Sequence, residues 1–184
     1  MKMIFPLMLS VSLLSLFGYA TSGGCEPVSQ PIPFQASLAE SNWNGKIIPQ
    51  GQQCEKFGGQ GSTPRLTVKN IPNETNALIM EYSDKDNTRM DLGGHGKIGY
   101  NIQQGTSEVT IPSVPGHSFA LPEGFFLVAA HNNPAMHTAG AYLPPCSGGK
   151  GHLYYVTIKA VHKPAASEQD AKVLETVQVD LGTY

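Results

Sequence analysis

The chain has 184 residues, of which 40% are hydrophobic and only 14% charged, with 20 glycines and 14 prolines. Lys and Arg number 12 against 14 Asp and Glu, so charge-driven disorder is excluded and there is no electrostatic footprint for nucleic acid. The abundance of Ala, Glu, Lys, Leu and Arg that a long coiled coil requires is also missing, which leaves a globular chain with many turns, rich in strands.

Residues 1–20 open with Lys2 and an apolar stretch from Ile4 to Phe17, then Gly18, Tyr19 and Ala20, with small residues at the two positions a signal peptidase reads. This is the layout of a secretory signal peptide, and the stretch is short of the roughly 20 residues a bilayer span needs. The expected mature chain, 21–184, is then a single exported domain, periplasmic or secreted. No later segment is apolar enough to span a membrane. Lipid attachment at Cys25 is the less favoured alternative, because Ser22, Gly23 and Gly24 precede it without the Leu such sites carry three positions upstream. Export places Cys25, Cys54 and Cys146 in an oxidising compartment. An odd count allows at most one internal disulfide, and the sequence does not fix the pairing.

Residues 21–33 contain Pro27, Pro31 and Pro33 and read as an extended arm, and 44–64 as a loop rich in Gly and Gln. Strands are expected at 65–69 (RLTVK), at 76–82 (NALIMEY) after a turn at Pro72 and Asn73, and at 96–102, 125–130 and 152–161. A helix is expected at 165–174, capped by Ser167 and supported by the Glu168–Lys172 pair. Strands dominating a single late helix argue for a mainly β domain. In the last strand His152, Tyr154, Val156, Ile158 and Ala160 share one face by the two-residue period. The apolar members point into the core, and His152 and Tyr154 fall at its inner edge. There they either line a small pocket or serve as a hydrogen-bonded core His and a Tyr at the sheet rim; periodicity leaves both open.

The stretch 140–161, GAYLPPCSGGKGHLYYVTIKAV, resembles the phosphatidylethanolamine-binding protein family, whose signature joins a Pro-Pro loop and several glycines to a His-x-Tyr that opens a core strand. NALIMEYSDKD is similar to the family's apolar strand running into Asp-Pro-Asp, with Lys85 in the place of the Pro. GGHGKIGYNI resembles its His-bearing strand, with Gly96 where an aromatic usually follows the His, and GGQGSTPRLTV resembles the entry to an earlier strand. Together these motifs cover roughly residues 54–162 in the family's order.

The resemblance implies a PEBP-like fold: a large central antiparallel sheet flanked by a smaller one, with one or two short helices near the C-terminus. It implies an exported, bacterial-type, Raf-kinase-inhibitor-like binding protein with a small anion cavity at one end. The matching positions are Asp84, His95, Pro144, Pro145, His152 and Tyr154. A protonated His and a Tyr hydroxyl both donate to phosphate or carboxylate oxygens, so phospholipid headgroups are a fitting ligand class. Asp84 fits beside an anion if it holds an imidazole or is itself protonated, so affinity should rise as pH falls from about 8 to about 5.5. The alternative role is a secreted inhibitor or effector that presents the pocket rim to a protein partner.

Catalysis is not expected. G-x-S-x-G is absent, and although Cys146 and His152 could form a thiol–imidazole pair, the family's Pro-Pro-Cys loop carries its Cys without catalysis. Asp84, Asp86 and Asp91 fail the calcium-loop pattern, with Arg89 at its Gly position and His95 at its Glu position. His131 to His137 (HNNPAMH) reads as a solvated loop, so no metal and no cofactor are expected. The resemblance points to Cys25–Cys54 as the disulfide, because Cys146 belongs to a loop whose Cys occurs in family members that are not exported. Closing that loop of about 28 residues would contribute about 3 kcal/mol.

Overall fold

The structure is a computed structural model that describes residues 32–135, 137–164 and 171–184. The expected signal segment 1–20, Cys25 and the arm up to residue 31 lie outside the described residues. Eight strands follow in order: β1 (Gln35–Leu38), β2 (Leu66–Lys69), β3 (Ala77–Asp84), β4 (Gly96–Asn101), β5 (Glu108–Ile111), β6 (Phe125–Ala129), β7 (Leu153–His162) and β8 (Lys172–Thr183). They form a five-stranded sheet, β6-β4-β3-β7-β8, and a three-stranded sheet, β1-β2-β5, with antiparallel neighbours throughout. This is the expected large sheet with a smaller companion.

The central strands owe their place to composition. In β3, Ala77, Leu78, Met80 and Tyr82 are buried, and in β7 Tyr154, Val156, Ile158 and Ala160 fill the face that the two-residue period marks. Leu66, Val68 and Ile111 of the small sheet, with Trp43 and Ile48 from the loop between β1 and β2, complete the same core. Each fully buried Leu or Ile contributes on the order of 2 kcal/mol by leaving water, and truncating one such as Ile158 to Ala costs about 2–5 kcal/mol.

The helix expected at 165–174 is corrected. Residues 165–170 lie outside the described residues, but Lys172, Val173 and Leu174 begin β8, the strand that pairs with β7 from His162 back to Leu153. One i,i+4 ion pair contributes only about 0.2–0.5 kcal/mol to a helix. A β-branched run that satisfies its main chain on β7 and half-buries Val177 and Val179 outweighs it. Among the described residues the only helical turn is the 3-10 turn Glu55–Phe57, and no helix is long and apolar enough to cross a membrane.

Candidate functional site

Strand direction gathers the site. In the antiparallel pairs, Asp84 at the end of β3 faces Tyr154 near the start of β7, and Tyr82 faces Gly96 at the start of β4. The side chains of Asp84, His95 and His152 therefore reach one end of the large sheet. There they line a cavity of about 420 Å³, together with Leu143, Cys146 and Ser147 of the loop before β7.

Asp84 is 3% exposed and fully engaged. One carboxylate oxygen accepts from His152 Nδ1 at 2.8 Å and the other from the Asp86 main-chain N–H at 3.0 Å. The loop after it is tied down where the resembled motif would place a proline. The Lys85 N–H donates to the Leu153 carbonyl at 2.9 Å, and the Asp86 carboxylate accepts from the Leu153 N–H at 2.8 Å. A proline at 85 would lack that donor, so the Asp84–Asp86 turn is fixed by hydrogen bonds in place of a fixed ring.

His95 is held from both sides. Its N–H donates to the Tyr82 carbonyl, its own carbonyl accepts from the Leu143 N–H, and its Nδ1–H donates to the Leu143 carbonyl at 2.7 Å. The glycine that follows makes this approach possible. Gly96 has φ 121°, and a Cβ there would sit 2.0 Å from the Ala141 carbonyl oxygen. Burial pushes the His95 pKa down to about 4, against the raising pull of the Leu143 carbonyl and of Asp84. At neutral pH it is therefore an uncharged ring, with Nδ1 donating and Nε2 left as an acceptor. Burial likewise lowers the pKa of His137, assisted by Lys56, His131 and His117.

The other expected residues stand one layer behind the wall. Tyr154 is buried, packs its ring edge-on to His95 with centroids 5.3 Å apart, and accepts the Cys146 N–H on its hydroxyl at 3.1 Å. Burial raises its pKa to about 12, so the phenol stays protonated. Pro144 packs so closely on the 115–117 turn that a Cβ on Gly116 would meet its Cγ at 2.4 Å, and the Pro145 carbonyl accepts the Cys54 N–H at 3.0 Å. These three residues shape the wall without lining the cavity.

The expected Cys25–Cys54 disulfide is corrected as well. Cys54 is bonded to Cys146 across 92 residues of sequence, with Cα atoms 5.3 Å apart. The cause is the Cys54–Pro145 main-chain hydrogen bond, which lays the 44–64 loop against the Pro-Pro loop and brings the two sulfurs together. The bonded Cys146 sulfur is not a thiolate nucleophile, and the imidazole 3.5 Å from it belongs to His137, not to His152.

Three cations that the sequence reading did not single out, Lys56, Arg89 and Lys150, stand exposed at the mouth. Among the described residues no carboxylate lies within ion-pair distance of any of them. Lys150, two residues before His152 in the GGKGH run, was the one with a local signal. Lys56 and Arg89 reach the site only through tertiary folding.

The sequence matches no protein-family model and no curated protein. Solved structures do match. A protein from Chlamydia trachomatis described as a phosphatidylethanolamine-binding protein homologue aligns at 20% identity with a TM-score of 0.50, over 82% of this chain and 96% of its own. YbcL of E. coli, described as a member of the mammalian phosphatidylethanolamine-binding protein family, aligns at 20% identity with a TM-score of 0.54, over 82% and 97%. Two antiparallel sheets, with the cavity at the end where β3 stops and β7 starts, thus have the fold of the phosphatidylethanolamine-binding proteins.

Proposed function

We propose that this chain is an exported, non-catalytic binding protein that takes a small anion, of the phosphate type carried by phospholipid headgroups or a carboxylate, into the cavity at the end of the large sheet. The observation that carries the reading is the charge arrangement. Among the described residues, Lys56, Arg89 and Lys150 ring the mouth without carboxylate partners, while the one carboxylate lining the cavity, Asp84, is already committed to His152 and the Asp86 N–H. Asp84 thereby becomes compatible with an anion, since it fixes His152 with Nδ1 turned to the carboxylate. An anion bound there favours the doubly protonated imidazole, whose Nε2–H is a charge-assisted donor. The signal-peptide layout of residues 1–20 and the disulfide support export.

The test is a two-dimensional NMR titration of the 21–184 chain with phosphate, acetate and phosphoethanolamine, alongside His152→Ala. Shifts centred on Asp84, His95 and Lys150, with affinity falling about tenfold or more in the variant, are expected for a charge-assisted bond of this kind. A stronger response to phosphoethanolamine than to phosphate assigns a headgroup, and equal responses assign the free anion. Silence of these residues at millimolar concentrations of all three ligands defeats the proposal and leaves the rim to a protein partner.

A further inference from the structure

At one corner of the cavity the disulfide meets His137. Cys54 is fully buried, Cys146 and His137 are half-buried, and ligand atoms of the three lie within 4.8 Å of one another. We propose that reduction of the Cys54–Cys146 disulfide turns this corner into a three-ligand site for a d10 cation, zinc(II) or copper(I), held by the two thiolates and the His137 imidazole.

The geometry is suited to it. A tetrahedral zinc with metal–sulfur bonds of about 2.3 Å and metal–nitrogen bonds of about 2.0–2.1 Å sets S and N about 3.5 Å apart. His137 Nδ1 and Cys146 Sγ are 3.5 Å apart. The cysteines are also held in place by bonds that do not involve sulfur, from the Cys54 N–H to the Pro145 carbonyl and from the Cys146 N–H to the Tyr154 hydroxyl. After cleavage the two thiols remain neighbours and need only open to the spacing of a chelating pair, about 3.8 Å. Two sulfurs and one imidazole select soft and borderline ions over calcium or magnesium. Cys146 and His137 also line the cavity, so a fourth coordination position faces it, the arrangement of sites that exchange a ligand or a metal.

The chemistry balances with one reactant from outside, a dithiol reductant. The dithiol gives two electrons and two protons to the Cys54–Cys146 bond and leaves as its own cyclic disulfide, yielding two thiols. The cation then displaces both thiol protons and accepts the neutral imidazole, so each ion bound releases two protons. The disulfide and the metal are thus alternatives: the oxidised corner has no free thiolate for the ion.

The experiment takes the full chain, oxidised or reduced without oxygen and freed of excess dithiol, and titrates zinc(II) against a chromophoric chelator and copper(I) against a copper(I)-specific one. One equivalent is expected on the reduced chain and none on the oxidised chain. Cys25→Ser should bind as well as the parent. His137→Ala keeps both cysteines, and its oxidised form reports independently on folding; it should bind at least about tenfold more weakly when reduced. The relative retention against the two chelators says which ion the site prefers. Equal uptake by the oxidised chain, unchanged affinity in His137→Ala, loss of uptake in Cys25→Ser, or loss of near-ultraviolet circular dichroism on reduction before any metal is taken up would each overturn the proposal.

Discussion

At the floor of the cavity the polar side chains are tied down, Asp84 to His152 and the Asp86 N–H and His95 to the Leu143 carbonyl, and behind them the Tyr154 hydroxyl accepts the Cys146 N–H. At the rim, Lys56, Arg89 and Lys150 are exposed and no carboxylate stands within ion-pair distance among the described residues. The first arrangement stores stability and shape, because burying a polar group without a partner costs about 1–3 kcal/mol. The second stores almost no stability but sets the potential an incoming anion meets. Substitutions in the two regions should therefore separate by stability: floor changes move unfolding, with His152 moving affinity as well, and rim changes move affinity alone.

The largest expected effect belongs to the bond that staples two loops of the rim together. The Cys54–Cys146 disulfide joins the loop carrying Lys56 to the loop carrying Lys150. On chain-entropy grounds a closure across 92 residues contributes about 4–5 kcal/mol. Thermal unfolding with and without a dithiol should show a fall in Tm of roughly 10–20 °C for a chain of this length, leaving it folded at room temperature. A fall of only a degree or two would mean that the Cys54–Pro145 hydrogen bond already does the stapling.

His95 gives the next largest effect, and it acts through pH. The folded chain holds this imidazole near pKa 4, mainly by burial, whereas the unfolded chain protonates it at its ordinary 6.5. Below 6.5 the unfolded state binds a proton that the folded state refuses. The stability His95 contributes is thus fully present above about pH 6.5, drains away as pH falls towards 4, and is flat below that. The loss over this window is about 3 kcal/mol. Urea unfolding at pH 7 and pH 4.5 should show it in the parent, and His95→Gln, which keeps a donor for the Leu143 carbonyl, should lose most of that difference. An equal pH difference in the variant would assign the acid sensitivity to other groups.

Much of the large sheet was legible because its central strands are apolar on a two-residue period. The face from Tyr154 to Ala160 in β7 is buried as the alternation requires. β1 and β5, four residues each on the small sheet, escaped, while β2 of the same length and sheet was legible through the alternation of RLTVK. β8 escaped because two register shifts against β7 break its alternation and a nearby Glu168–Lys172 spacing imitates a helix. At the site, Asp84, His95 and His152 were reachable through motif resemblance, whereas Pro144, Pro145 and Tyr154 match the same motif yet support the wall from behind. Lys56 and Arg89 carried no local signal, since a lone cation in a polar loop looks the same whether it faces a cavity or open water. The disulfide was misassigned for a related reason: its partners meet through a main-chain hydrogen bond between loops 92 residues apart in sequence.

A smaller effect probes the layer behind the wall. Tyr154→Phe keeps the ring against His95 and removes only the hydroxyl that accepts the Cys146 N–H. The loss should be about 1 kcal/mol in denaturant unfolding, with phosphate affinity changed by less than about threefold, because the hydroxyl is engaged behind the wall. An affinity loss of tenfold with intact stability would move Tyr154 from the supporting layer to the ligand.

The smallest effect on stability is expected at the rim, and it is the one that isolates electrostatics. Lys56→Ala, Arg89→Ala and Lys150→Ala should each leave unfolding within about 0.5 kcal/mol of the parent, because none gives up an ion pair among the described residues. Each should still weaken phosphate binding several-fold at low salt, where the Debye length of about 30 Å lets an exposed charge reach the cavity. At 1 M salt that length contracts to about 3 Å, so the differences between parent and variants should nearly vanish. His152→Ala, by contrast, should keep its deficit, since a donor inside the cavity acts by contact and not through the solvent. A rim variant whose deficit survives high salt would have to touch the ligand, and the boundary between floor and rim would then shift outward to include it.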